Sequence, residues 1–137
     1  MTHDEEMLQF GRKVLHDQAF SRLLGAELVA FEPGKAELAV AIREDFKQQH
    51  GFVHGGVVSY LADNALTYAG GSVLGNVVTS EYKINYVRPA MGERLIARAT
   101  VLHSGKRQAV CECKVTAIGE KGEVLVAVAQ GTITKID

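Results

Sequence analysis

The sequence has little of what marks a disordered, membrane-spanning or nucleic-acid-binding chain. Its 137 residues hold two prolines and no low-complexity run, which excludes a linker-rich or disordered protein. Neither sign of charge dominates. Fifteen Lys and Arg stand against sixteen Asp and Glu, a formal net charge of -1, so the basic footprint of a nucleic-acid binder is absent. No run of 18 uncharged apolar residues occurs. The best candidate, Gly55 to Leu74, carries Asp63, Asn64 and several glycines and is rejected as a membrane span. The opening MTHDEEMLQF is acidic and lacks the apolar core of a secretory signal, so a cytoplasmic location is expected.

Cysteine is scarce too. Cys111 and Cys113 sit two apart, which in a strand points both to one face, a poor geometry for a mutual disulfide. Two small buried apolar side chains is the first reading, and a redox or metal role the second. There is no GxSxG elbow and no GxxxxGK[ST] loop. Gly70, Gly71 and Gly75 do not form GxGxxG after a strand and are read as a helix end. No βαβ alternation is visible, so a dinucleotide-binding fold is not expected.

What is present describes an ordinary globular protein, 47% apolar and 23% charged. The length suits one domain, residues 25–137, preceded by a helical segment over 1–24. Met7, Phe10, Val14 and Leu15 follow helical spacing, and Phe20, Leu23 and Leu24 a second short helix ending at Gly25. The period then changes to two. Leu28–Phe31 and Lys35–Arg43 predict a hairpin about Glu32-Pro33-Gly34. Residues 44–54 have no clean period and read as an ordered loop. Val58, Leu61, Ala62, Ala65, Leu66 and Ala69 predict a long helix that is apolar around most of its girth, hence buried. Tyr60, Asp63, Asn64 and Thr67 form its narrow polar stripe. Four strands follow, near 77–87, 94–103, 108–118 and 124–136, with a hairpin turn at Glu120-Lys121. The expected class is α+β: an antiparallel sheet of about six strands wrapped around one central helix.

The segment from Gln48 to Thr67 carries the chemistry. His50 and His54 are four apart, but Gly51 lies between them and Gly55-Gly56 follows, so a shared helix and a metal site are not expected. His3, His16 and His103 read as surface residues. His54-Gly55-Gly56 opens the buried helix. A helix N-terminus presents free N–H groups and a positive dipole end, and glycine there admits close approach. Such a site suits a carbonyl oxygen that turns negative during acyl transfer. Asp63, inside the buried helix, must be paired, hydrogen-bonded or functional. A plain loop-to-helix junction at Gly55-Gly56 and a structural carboxylate at Asp63 remain open alternatives.

Spacing constrains the chemistry. Eight residues separate Gly55 from Asp63, roughly 12 Å along a helix axis. A base or nucleophile must work within about 3–3.5 Å of the carbon it attacks. One chain does not easily supply both groups to one carbonyl. Two antiparallel copies do, which predicts a two-fold dimer with two shared sites.

The run HGGVVSYLADNA resembles the signature of hotdog-fold acyl-CoA thioesterases of the phenylacetate-pathway and 4-hydroxybenzoyl-CoA thioesterase group. There an Asn or Gln precedes a His-Gly pair by six residues and an acid follows the His by nine, as Gln48, His54-Gly55 and Asp63 do. NYVRPAMGERLIARATVLHSGKRQ and the final GTITKI are similar as well, so the resemblance spans about residues 20–136. It implies a hotdog fold, an acyl-CoA substrate, no cofactor or metal, and a homodimer or a tetramer built from dimers. It also implies roles. The Gly55 N–H would polarise the thioester carbonyl with help from Gln48. His54 would orient the loop. Asp63 of the other subunit would act as nucleophile or general base, and Thr67 would help place the water. Thr79 lies where some members carry a hydroxyl. Arg88, Lys106 and Arg107 are candidates for the CoA phosphates. An acyl-CoA-binding module without catalysis and an acyl dehydratase are the competing readings.

Overall fold

The computed structural model describes all residues, 1–137. Helix α1 (His3–Asp17) starts at a capping box, in which the Thr2 hydroxyl accepts from Glu5 N–H and the Glu5 carboxylate reaches back to Thr2 N–H. Helix α2 (Ala19–Leu24) ends at Gly25, whose φ of 73° is the left-handed cap conformation glycine adopts at little cost. Strands β1 (Glu27–Glu32) and β2 (Lys35–Ala41) form the expected hairpin. A short 3-10 turn over Glu44–Phe46 interrupts the loop that follows. Helix α3 spans Gly55–Leu74, and β3 (Val77–Tyr86), β4 (Arg94–Ser104), β5 (Gln108–Gly119) and β6 (Gly122–Lys135) complete the chain.

All pairings in the single sheet are antiparallel, in the order β1-β2-β4-β5-β6-β3. Helix α3 lies across its inner face. Leu61, Ala62, Ala65, Leu66 and Ala69 are wholly buried there against Leu38, Leu95, Cys111, Val115 and Ile133. That many alanines on one helix bring it close to the sheet. Leu15 and Leu24 join the same core, which ties the N-terminal helices to the sheet. No helix is long and apolar enough to cross a membrane.

Two readings are refined. Gly70 and Gly71 do not end α3; it runs on to Leu74 and is capped at Gly75. Gly70 is an interior contact, because a Cβ there would lie 2.6 Å from Ile133. Gly70→Ala should therefore overpack the core and destabilise by about 1–2 kcal/mol despite alanine's helix propensity. Gly71→Ala, with 3.4 Å to the nearest Val77 atom, should be neutral or stabilising. Thermal melts of the two variants check this, and a Gly70→Ala melting temperature at or above wild type contradicts the close packing. The two cysteines are buried and free, and burial pushes their thiols up, to about 11 for Cys111 and about 12 for Cys113. They are un-ionised at neutral pH and fill core volume.

Candidate active site

The loop before α3 is fixed by its own backbone. Lys47 and Val53 form an isolated bridge, Gln48 N–H donates to Phe52 C=O at 3.0 Å, and His54 N–H donates to Phe46 C=O at 2.8 Å. Phe46 and Val53 are buried, anchoring both arms, and Gly51 turns the tip with φ 90°. This closed loop delivers Gln48 to the start of α3.

His54 is the N-cap. Its Nδ1 accepts from Gly56 N–H at 2.8 Å, which puts the neutral ring's proton on Nε2. Val57 N–H is taken by His54 C=O. The Gly55 N–H is left with no acceptor in the chain, at the positive end of a 20-residue helix. Gln48 and Gly55 line one cavity of about 310 Å³ together with Phe52, Tyr86 and Arg88. Gln48 uses its Oε1 on His50 N–H, leaving its NH₂ free.

Asp63 is half-buried on the polar stripe of α3. Thr79 of β3 donates to its Oδ1 at 2.6 Å. The Thr67 hydroxyl stands 2.8 Å from both Asp63 C=O and Thr79 Oγ1. Two hydroxyl protons serve three contacts, so with Thr79 donating to the carboxylate the Thr67 proton is shared between Asp63 C=O and Thr79 Oγ1. The other carboxylate oxygen has no partner in the chain. Thr67 lines a separate cavity of about 270 Å³ under α1, with Phe10, Val14, Gln18, Phe31 and Asn64.

The structure thus gathers the expected residues into two groups: Gln48, His54, Gly55 and Arg88 at one end of α3, and Asp63, Thr67 and Thr79 further along it. The phosphate-binding candidates are also divided. Arg88 N–H contacts Val126 C=O, whereas Arg107 C=O accepts from Lys135 N–H, nine residues along β6 and roughly 30 Å away. The Arg107 guanidinium is bonded to the Lys135 and Asp137 carbonyls at 3.1 Å, and Lys106 is exposed beside it. No cluster of three His, Cys, Asp or Glu side chains could hold a metal ion.

Sequence reading missed a second polar cluster. Asn64 Nδ2 donates to Gln18 Oε1 at 3.0 Å and to Tyr60 OH at 3.2 Å, and Ser21 bonds both Gln18 and Tyr60 at 2.6 Å. It joins α2 to α3 across more than 40 residues, beyond the reach of local spacing.

The chain is thus a long helix packed against one antiparallel sheet, with a bare N–H at the helix start and a carboxylate two turns on. Residues 50–124, just over half the chain, match the thioesterase superfamily. A putative esterase of Deinococcus radiodurans is 32% identical over 122 residues, covering 85% of this chain and 79% of that protein. The acyl-coenzyme A thioesterase PaaI of Escherichia coli is 29% identical over 108 residues, 78% of this chain and 77% of that protein. Its solved structure superposes with a TM-score of 0.88 at 25% identity over 99% of this chain and 97% of the other. A thioesterase family protein of Silicibacter pomeroyi gives a TM-score of 0.88 at 33% identity, over 92% and 95% of the two chains. The chain belongs to the thioesterase superfamily.

Proposed function

We propose that the chain hydrolyses acyl-CoA thioesters to free acid and CoA, in active sites that two copies build together. The observation that carries this reading is the unpaired Gly55 N–H at the start of α3, on a residue that lines the same cavity as Gln48. The name of the E. coli relative, an acyl-coenzyme A thioesterase, supports the substrate class.

The thioester oxygen sits against the Gly55 N–H and the Gln48 NH₂. These donors, fixed before the reaction, stabilise the oxygen as it becomes negative. Asp63 comes from the partner subunit. As a base it takes a proton from water while the water oxygen bonds to the carbonyl carbon. The C–S bond then breaks, and the departing thiolate receives that proton. As a nucleophile its oxygen bonds to the carbonyl carbon and the C–S bond breaks, leaving a mixed anhydride and the CoA thiolate; water then opens the anhydride to the free acid and the Asp63 carboxylate, and its proton goes to the thiolate. Thr67 places the water in either route.

The sheet supplies a means of pairing. Strand β3 is a ten-residue edge with no neighbour on one side; Val78 and Tyr86 are exposed along it and Val87 just beyond its end. Such an edge is a template for another strand. Two β3 edges meeting antiparallel about a two-fold axis bring Asp63 of one subunit toward Gly55 of the other. They also bring Arg88 of one subunit to the end of the sheet where Lys106 and Arg107 of the other lie. The bases then flank one CoA, in a dimer that stands alone or doubles into a tetramer.

The test is thiol release, read with a thiol reagent, from aryl, short, medium and long acyl-CoAs side by side. Turnover of at least one, surviving EDTA, is the expected result. Binding without turnover would make the protein a binding module. Activity lost to EDTA and restored by zinc would refute the metal-free mechanism.

A further inference from the structure

Strand β3 turns three hydroxyls toward one stripe of α3. Thr79 bonds Asp63, the Tyr82 phenol bonds the Ser59 hydroxyl, and the Tyr86 phenol donates to the Gly55 carbonyl at 3.2 Å. Gly55, Ser59 and Asp63 are four residues apart, so they stack along one side of the helix, a line that continues to Thr67. Strict alternation would put Thr79 and Tyr82 on opposite faces of the strand. A bulge between Thr79 and Glu81 resets the alternation, and both become half-buried against α3. Gly131 pairs with Tyr82 at this point. A Cβ at Gly131 would lie 2.6 Å from the Glu81 carbonyl and from Tyr82 Cβ, so the bulge has room only because the partner strand carries glycine there.

Tyr86 does more than reach the helix. Its ring lies against Gly55, 3.4 Å from where a Cβ would be, and it lines the same cavity as Gly55 and Gln48. The first turn of a helix lacks half its backbone bonds and opens most easily. An oxyanion donor is effective only when held about 2.7–3.1 Å from the developing charge.

We propose that Tyr86 and Tyr82 are positioning residues for thioester hydrolysis: through the Gly55 carbonyl and Ser59 they hold the first turn of α3 so that the Gly55 N–H stays aimed at the carbonyl oxygen. This rests on the reading of that N–H as the oxyanion donor. The Gly55 carbonyl belongs to the peptide after the donor. Fixing it fixes the Gly55 ψ angle and hence the Cα that carries the donor.

The experiment compares Tyr86→Phe, Tyr86→Leu, Tyr82→Phe, Ser59→Ala and the Tyr82→Phe/Ser59→Ala double variant. Kinetics use whichever of acetyl-, hexanoyl-, palmitoyl-, benzoyl- and phenylacetyl-CoA the wild type turns over best. Tyr86→Phe loses one hydrogen bond and keeps the ring, so kcat should fall about 3–10-fold with KM within about twofold. Tyr86→Leu should fall further, and Phe should recover part of that loss. Tyr82→Phe and Ser59→Ala remove one bond from either end, so the double variant should be no worse than the worse single. Hydrogen exchange gives a reading independent of turnover. Amides of residues 55–60 should exchange about 3–10-fold faster in Tyr86→Phe, with the core of β5 unchanged. Unchanged kcat overturns the proposal, whatever exchange does. So does a kcat loss matched by faster exchange throughout the core, which marks a merely structural tyrosine. If the wild type hydrolyses none of the five thioesters, the proposed function fails alone. Local exchange at 55–60 then still decides whether Tyr86 holds the helix start, and no change there overturns it.

Discussion

Asp63→Asn is expected to lower kcat by about 10²-fold or more while leaving the fold nearly intact. The amide has the carboxylate's shape. Its oxygen still accepts from Thr79, whose bond to Asp63 Oδ1 is 2.6 Å. Its NH₂ takes the place of the oxygen that meets no group in the chain, so the exchange strands no buried partner. What is lost is the negative charge. An amide takes no proton from water at neutral pH and does not attack a carbonyl carbon, so both chemical routes close together. Steady-state kinetics and a thermal melt on one preparation check the prediction. A variant with near-wild-type kcat would make Asp63 a structural carboxylate after all, held by its threonines.

The arrangement around Asp63 shows what spacing alone reveals. Asp63 and Thr67 are one helical turn apart, and helical periodicity places them on one stripe. Gln48 and His54 are close in sequence and joined by a loop that closes on itself, so the cavity that Gln48 shares with Gly55 follows from local order. The strands were legible because inward and outward residues alternate, as in β5, where Ala109, Cys111, Cys113, Val115 and Ala117 are buried in turn. Tyr82 and Tyr86 were not legible as partners of α3. A one-residue bulge sets their face relative to Thr79, and its sequence signal is a glycine on a different strand, Gly131. The Gln18–Asn64 bond escaped for a similar reason, since it depends on where α2 comes to rest rather than on any period. Gly70 misled because glycine near a helix end usually marks the end. Here the helix continues, and the missing Cβ makes room for Ile133.

Co-refolding two inactive variants should restore about a quarter of the active sites if those sites are shared between subunits. One parent is Asp63→Asn. The other is Gly55→Pro, which deletes the one backbone N–H at the helix start that has no acceptor in the chain. The structure favours folding of the second parent. Gly55 is the first helical residue, where proline is well tolerated. His54, before it, already has φ -58° and ψ 135°, the extended conformation that a following proline requires. His54 keeps both its N–H bond to Phe46 C=O and its cap on Gly56. The proline ring replaces the donor with carbon at the place meant for the oxyanion. Random pairing makes about half of the dimers hybrid. Where Gly55 and Asp63 of different subunits form each site, a hybrid carries both lesions at one site and none at the other. Where one chain supplies both groups, every site in the mixture carries a lesion and activity stays at the parental level. Both parents must first be shown to dimerise, and hybrids can be counted by tagging one of them. Hybrids present in the expected share without recovered turnover would leave the roughly 12 Å between Gly55 and Asp63 to be bridged within one chain, and the shared site would be wrong.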